Sequence, residues 1–258
     1  MITAGIDLGT AAIKVVFIDK CNLLWAKALP TMPQYVEISE RLLKKGLESL
    51  SIREKDLAGI AATGYGKRLF PNAGRMVDEI SANAVGAYIL SDKTARTVIN
   101  IGGQDVKIIK LSPDGKVIDF KMNDKCAAGT GRFFEMAEKI LNIPVREFGK
   151  LGLLSQSPAH INSTCTVFAE SEIMSLLSVE TNTHDIIAGL HKSVARKVCN
   201  LAASLYLEEE IYLDGGAGTN NGLLSAIKEE LMRNIKIFPR PQFTVAFGAA
   251  AILSQENG

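Results

Sequence analysis

Two stretches of the chain decide its fold: GIDLGTAAIKVVFI at residues 5–18 and NIGGQDVKIIKL at residues 100–111. Each predicts a β-strand, a glycine turn and a second strand that carries a lysine, because β-branched and apolar residues dominate both strands. Lys14 and Lys107 occupy matching places 93 positions apart, which makes the two stretches a degenerate internal repeat. The repeat predicts two related halves that each begin with a hairpin.

Outward from these hairpins, segments with strand and helix patterns alternate along the chain. The apolar spacing predicts strands at residues 57–63 and 211–213, and helices at residues 35–50, 79–90, 186–207, 223–231 and 244–253. Alternation of this kind is typical of layered α/β domains. We therefore expect an α/β fold.

Three glycine turns follow predicted strands and are candidates for binding phosphate. Without a Cβ, glycine lets backbone N–H groups approach phosphate oxygens closely. The patterns of a P-loop and of a dinucleotide-binding turn are both missing from the sequence. The candidate nucleotide contacts are Gly9, Thr10, Lys14, Gly102, Gly103, Gly215, Gly216 and Ala217.

Acidic and amide side chains stand beside the first two turns. Asp7 precedes Gly9 by two positions, and its carboxylate is a candidate ligand for Mg²⁺, which prefers oxygen. Gln104 and Asp105 follow the second glycine pair, where a water-positioning or metal-contacting group is needed for phosphoryl chemistry. Asp7, Gln104 and Asp105 are the candidate catalytic residues.

The composition of the 258-residue chain excludes several classes of protein. Lys and Arg number 29 and Asp and Glu number 28, so a net charge of +1 gives no electrostatic case for a nucleic-acid or membrane partner. The first residues show no signal-peptide pattern, and the apolar windows are too short to cross a bilayer. We expect a cytoplasmic protein.

Two of the four cysteines stand in polar loops before predicted helices. Cys126 and Cys165 occupy such loops, whereas Cys199 fits a helix core and Cys21 a hairpin turn. Helix N-termini stabilise thiolates, and two thiolates are half of a four-ligand metal site. A two-fold dimer that shares one centre would supply the other half, although spacing alone leaves iron–sulfur, zinc and two buried thiols open.

Four longer segments carry a resemblance to a known family: residues 5–10, 101–107, 122–133 and 163–172. They resemble the ATP-dependent activators of 2-hydroxyacyl-CoA dehydratases, of the BadF/BadG/BcrA/BcrD-type ATPase family. That family also includes ATPase subunits of benzoyl-CoA reductases and reductases of double-cubane iron–sulfur proteins. The resemblance extends over essentially the whole chain.

The resemblance implies an actin-like, sugar-kinase-like ATPase fold with two related α/β subdomains around a nucleotide cleft. The N-terminal subdomain would span residues 1–94. The C-terminal subdomain would span residues 95–258 and hold the cysteine loops, and the final helix, at about 244–254, is a candidate to pack back on the first subdomain. A homodimer would hold one 4Fe–4S cluster through Cys126 and Cys165 of both copies.

The resemblance also implies an activity. A ferredoxin or flavodoxin would load one electron, and ATP binding and hydrolysis would drive that electron to an iron–sulfur dehydratase or reductase. At Asn100 the chain lacks the Asp of typical members, which would leave contacts to Mg²⁺ to Asp7 and Asp105. Two other readings stay open: a small-molecule kinase of the same fold and a filament-forming scaffold of the actin type.

Overall fold

The structure is a computed structural model that describes residues 1–123, 129–161 and 166–257, with only the backbone of residues 166 and 167. These residues form ten strands: β1 (Ile2–Leu8), β2 (Ala12–Asp19), β3 (Asn22–Pro30), β4 (Leu57–Thr63), β5 (Arg75–Met76), β6 (Thr97–Ile101), β7 (Val106–Leu111), β8 (Val117–Asn123), β9 (Ile211–Asp214) and β10 (Ile235–Ile237). They also form eight α-helices: α1 (Tyr35–Leu50), α2 (Glu79–Leu90), α3 (Gly131–Leu141), α4 (Val145–Gly152), α5 (Thr166–Ser178), α6 (Thr183–Ala202), α7 (Asn221–Leu231) and α8 (Thr244–Glu256).

The chain forms two compact units, each discontinuous in sequence. The first unit comprises Met1–Val98, Ile109–Asp119 and Phe238–Gly258, and the second comprises Ile99–Ile108 and Phe120–Ile237. The predicted boundary between an N-terminal subdomain at residues 1–94 and a C-terminal subdomain at residues 95–258 stays a prediction.

The first sheet has the strand order β3-β2-β1-β4-β5. The hairpin strands β1, β2 and β3 pair antiparallel, whereas β4 and β5 run parallel to β1. Ile6, Leu8 and Phe17 pack with α1 on one face. The other face packs against α8, where Gly5 brings β1 so close that a Cβ would overlap the carbonyl of Ala246. Covered on both faces, β1 is buried from residue 3 to residue 8.

The second sheet repeats this arrangement. Its order, β10-β9-β6-β7-β8, is that of the first sheet read from the other edge, with β6 in the place of β1 and β9 in the place of β4. A core of aliphatic and aromatic residues that includes Ile101, Phe134 and Leu213 joins this sheet to its helices. The predicted α/β architecture and its internal repeat are thus confirmed.

The largest differences from the predicted elements lie in the second unit. The predicted helix at residues 186–207 is α6, which begins at Thr183 and ends at Ala202, since the chain turns there through a hydrogen bond from Leu205 N to Ala202 O. Periodicity did not predict α4 or the three-residue β10, both of which are short. In the described part of the chain, no helix is long and apolar enough to span a bilayer.

Candidate functional site

The first glycine turn lies at the end of β1, beside a buried ion pair. Asp7 and Lys14 face each other across the β1–β2 hairpin, and Lys14 Nζ lies 2.8 Å from Asp7 Oδ2. The carboxylate is 5% exposed and the lysine side chain 17%. Gly9 leaves space for the ammonium group, since a Cβ there would lie 3.1 Å from Lys14 Nζ. The turn therefore lies against a charged pair that reaches the surface through the lysine.

A second strand end lies beside this turn, and its residues were not among the predicted site residues. Thr63 ends β4 opposite Asp7, and Gly64 follows with φ of 84°. A Cβ on Gly64 would lie 2.5 Å from Asp7 Oδ1, and Gly66 N donates to Leu8 O at 3.0 Å. A Thr-Gly-x-Gly pattern at the end of a buried strand is the signal by which the sequence could have indicated it.

The second glycine turn, Gly102 and Gly103, follows β6 in the second unit. Gly102 N donates to Asp105 O at 2.9 Å and closes the turn. Asp105 Oδ2 lies 2.7 Å from Lys107 Nζ, and their side chains are 5% and 2% exposed. Gln104 is exposed beside them. The turn thus carries one exposed amide side chain, and a buried charged pair lies beside it.

The third glycine turn follows β9 and lies against the second. Asp214 ends β9, and Gly215 adopts φ of 84°, where a Cβ would overlap the carbonyl of Ile101. Asn100 Nδ2 donates to Asp214 Oδ1 at 2.6 Å, and both residues are buried. Gly216 and Ala217 then open a 3₁₀ turn that extends to Thr219. The second unit therefore brings two of the three predicted glycine turns together.

The second turn is also tied to the start of α3. Gly131 N donates to Gly102 O at 2.8 Å, and Arg132 N donates to Gly103 O at 3.0 Å. The Thr130 hydroxyl donates to Gly103 O at 2.9 Å. Three hydrogen bonds therefore hold the first turn of α3 on the glycine turn.

The two cysteines predicted to bind metal, Cys126 and Cys165, lie outside the described residues. Their flanking helices are described: α3 begins five residues after Cys126, and α5 begins directly after Cys165. Among the residues that the structure does describe, no group of three or more His, Cys, Asp or Glu side chains forms a metal site. Cys21 is exposed, and Cys199 is half-buried rather than in the core, with a thiol pKa raised by desolvation.

The two sheets of equal order and the glycine turns after their strands define an α/β ATPase of the actin-like, sugar-kinase-like class. The BadF/BadG/BcrA/BcrD ATPase family model matches residues 4–252, and the chain belongs to that family.

Two dehydratase activators resemble it over nearly their whole length. The "Activator of lactoyl-CoA dehydratase" of Anaerotignum propionicum is 40% identical over 97% of this chain and 96% of its own. The "(R)-2-hydroxyglutaryl-CoA dehydratase activating ATPase" of Acidaminococcus fermentans is 40% identical over 96% of this chain and 95% of its own. The structure of the 2-hydroxyisocaproyl-CoA dehydratase activator from Clostridium difficile with bound ADPNP superposes with a TM-score of 0.95 at 36% identity, covering 100% of this chain and 96% of that one.

A more distant similarity concerns the fold alone. A ROK hexokinase from Thermus thermophilus superposes with a TM-score of 0.52 at 15% identity, covering 97% of each chain. This identity is too low to carry activity, so the similarity supports the sugar-kinase-like architecture and nothing about a substrate.

Proposed function

We propose that this ATPase is an ATP-dependent electron-transfer protein that activates an iron–sulfur enzyme, most directly a 2-hydroxyacyl-CoA dehydratase. The supporting similarity covers nearly the whole chain and includes a relative named as an activator of such a dehydratase. The observation that carries the proposal is the set of three hydrogen bonds between the Gly102–Gly103 turn and the start of α3. It joins a candidate nucleotide turn to the helix that follows the Cys126 loop.

The glycine turns fit a nucleotide with Mg²⁺. We assign the phosphates to backbone N–H groups of the three turns. In the second and third turns, close packing already excludes a Cβ at Gly102 and Gly215. Lys14 would add positive charge, and the Asp7 carboxylate would hold Mg²⁺ directly or through water. Gln104 and Asp105 would orient the attacking water. The residues that would contact ATP or ADP are Gly9, Thr10, Lys14, Gly102, Gly103, Gly215, Gly216 and Ala217.

The cysteines supply the redox part of the proposal. Cys126 and Cys165 of two copies would give four thiolates, the ligand set of a 4Fe–4S cluster. Such a cluster, when bound, accepts one electron from a ferredoxin or flavodoxin and donates it to the partner enzyme. We therefore propose a homodimer and place it in the cytoplasm, with no nucleic-acid or membrane partner.

The nucleotide state and the Cys126 loop would be coupled through the backbone at the start of α3. A movement of Gly102 or Gly103 on loss of the terminal phosphate would also move their carbonyl oxygens. These oxygens accept the hydrogen bonds from Gly131, Arg132 and Thr130. Because α3 follows the Cys126 loop directly, the nucleotide state would reach that loop through its backbone. This is a hinge-type switch at the end of one helix.

The test is an anaerobic activation assay with a reduced ferredoxin, ATP and a panel of acceptors that includes 2-hydroxyacyl-CoA dehydratases and a benzoyl-CoA-type reductase. We expect ATP, and not ADPNP, to support activation of at least one acceptor, with ADP released and no phosphorylated small molecule. ATP consumption matched by a phosphorylated product would instead support the kinase reading. Activation that needs no nucleotide would contradict the proposal.

A further inference from the structure

The internal repeat places four strand-end residues in matching positions. Asp7 on β1 lies opposite Thr63 on β4. In the second sheet, Asn100 on β6 is the counterpart of Asp7, 93 positions later, and Asp214 ends β9, the counterpart of β4.

The glycines that follow confirm the match between the two units. Gly64 and Gly215 both adopt φ of 84°. In each unit the Cα lies so close to a strand carbonyl that a Cβ is excluded: Leu8 O for Gly64 and Ile101 O for Gly215. These two carbonyl residues are themselves 93 positions apart. Thr63 and Asp214 are therefore equivalent residues.

The two units carry the carboxylate of this pair on different strands. In the first unit it belongs to the central strand, as Asp7, and in the second to the neighbouring strand, as Asp214. Within the described part of the chain, Thr63 Oγ1 has no hydrogen-bond partner. Asp214 instead accepts a 2.6 Å hydrogen bond from the buried amide of Asn100. Each unit thus keeps one carboxylate at this pair of strand ends, on opposite members of the pair.

An ionised Asp214 would be costly for folding alone. An ionised carboxylate shielded from water pays a desolvation penalty of several kcal/mol, and a neutral pair could join the two strands without it. The 2.6 Å hydrogen bond from the Asn100 amide fixes the carboxylate in orientation, and it would be charge-assisted for an ionised Asp214. Lys107, the counterpart of Lys14, forms an ion pair with Asp105. A buried, oriented carboxyl group directly before a candidate phosphate turn is placed to act on what that turn binds.

We propose that Asp214, oriented by Asn100, is a positioning residue for Mg²⁺-nucleotide in the second unit, with the electrostatic role that Asp7 has in the first. Because Asp214 is fully buried, it acts from behind the turn and does not touch the ligand. The proposal rests on the assignment of the glycine turns to ATP. It explains why the second unit has an amide where the first has a carboxylate.

The test compares three variants in ADP binding by calorimetry, with and without Mg²⁺, and in ATP turnover. Asp214→Asn keeps the shape and removes the charge, so we expect the Mg²⁺-dependent gain in ADP affinity and kcat to fall about 10- to 100-fold. Asn100→Asp places two carboxylates together, which must share a proton, so its turnover should recover as the pH falls. Asn100→Asp/Asp214→Thr copies the first unit and should restore both values to within a few-fold.

Control variants separate the effect of removing the carboxylate at residue 214 from an effect on folding. Asp114→Asn removes an exposed carboxylate in the β7–β8 turn and should leave binding and turnover at the parent values. Thermal unfolding of each variant reports folding, and restoration by the double variant keeps the test valid if Asp214→Asn is unstable. The proposal is overturned if folded Asp214→Asn matches the parent, or if the double variant is no better than the single ones. A parent protein that binds no ADP overturns the proposed function as well.

Discussion

At the scale of single residues, the candidate site is built from buried charges in pairs. Lys14 lies 2.8 Å from Asp7, and Lys107 lies 2.7 Å from Asp105. Removing one partner of such a pair leaves an uncompensated charge, whereas replacing both by apolar residues is often neutral. Stability alone therefore does not require these pairs. Their place beside glycine turns is consistent with retention for chemistry.

Two adjacent glycines in the third turn should respond differently to alanine. Gly215→Ala forces a Cβ into the carbonyl of Ile101 and a side chain into φ of 84°, and should lower the free energy of unfolding by about 1–3 kcal/mol or more. Gly216 has open space at its Cβ, and Gly216→Ala should change stability little. Urea titration of both variants tests this. Equal loss of stability in the two would contradict the described turn.

Single residues were predictable where a local pattern marked them. Asp7 and Lys14 in the first hairpin, and Asp105 in the second, stand at short fixed spacings from the glycines of the same hairpin, and all three lie at the turns. Thr63 was missed because its proximity to Asp7 depends on the pairing of β4 with β1, about 55 residues apart in sequence. The bond between Asn100 and Asp214 spans 114 positions and has no local signal. Contacts between neighbouring strands required the structure.

At the scale of elements, α2 and α8 pack more closely than ordinary helices. A Cβ on Gly248 would overlap the carbonyl of Ala82, and one on Gly86 would overlap that of Thr244. Both helices are apolar with little amphipathic pattern, as expected for helices buried on most sides. The sequence predicted α8 from its run of small residues. The same run has no amphipathic pattern that would indicate which face of α8 is buried. Periodicity therefore could not predict that α2 packs against it.

The packing of α6 against α7 depends on a neutral histidine. Burial lowers the pKa of His191 from 6.5 to about 4. Its Nε2 accepts a hydrogen bond from Asn220 Nδ2 at 3.0 Å, and Asn220 Oδ1 in turn caps α7 at Leu223 N. The ring also lies beside Phe134, with centroids 5.7 Å apart. The neutral imidazole is thus a structural group that supports the start of α7.

This histidine should make stability depend on pH. Its pKa is lower in the folded state, so the unfolded chain takes up the proton first as the pH falls. The contribution, about 3 kcal/mol, is fully present above pH 6.5 and is lost as the pH falls toward 4. His191→Gln should flatten the change in urea midpoint between pH 7 and pH 5, whereas His160→Gln should not. An unchanged pH profile in His191→Gln would contradict a buried neutral ring.

At the scale of the whole molecule, two sheets of the same strand order confirm the duplication that the two hairpins predicted. Glycine turns recur at matching strand ends, and the family model covers residues 4–252. Composition and periodicity defined the layers and the repeat. They did not define the discontinuous units, because the return of residues 238–258 to the first unit depends on tertiary packing. That return of the final helix was expected only from the family resemblance.

We propose that ATP chemistry on this fold serves a cluster held by Cys126 and Cys165 of two copies. The most direct test of this claim is iron and sulfide analysis of protein purified without oxygen. We predict a brown dimer with about four irons per two chains, lost in Cys126→Ser and in Cys165→Ser but retained in Cys199→Ser. ADP binding should survive in all three variants. A colourless parent protein, or iron that persists in both loop variants, would contradict the claim.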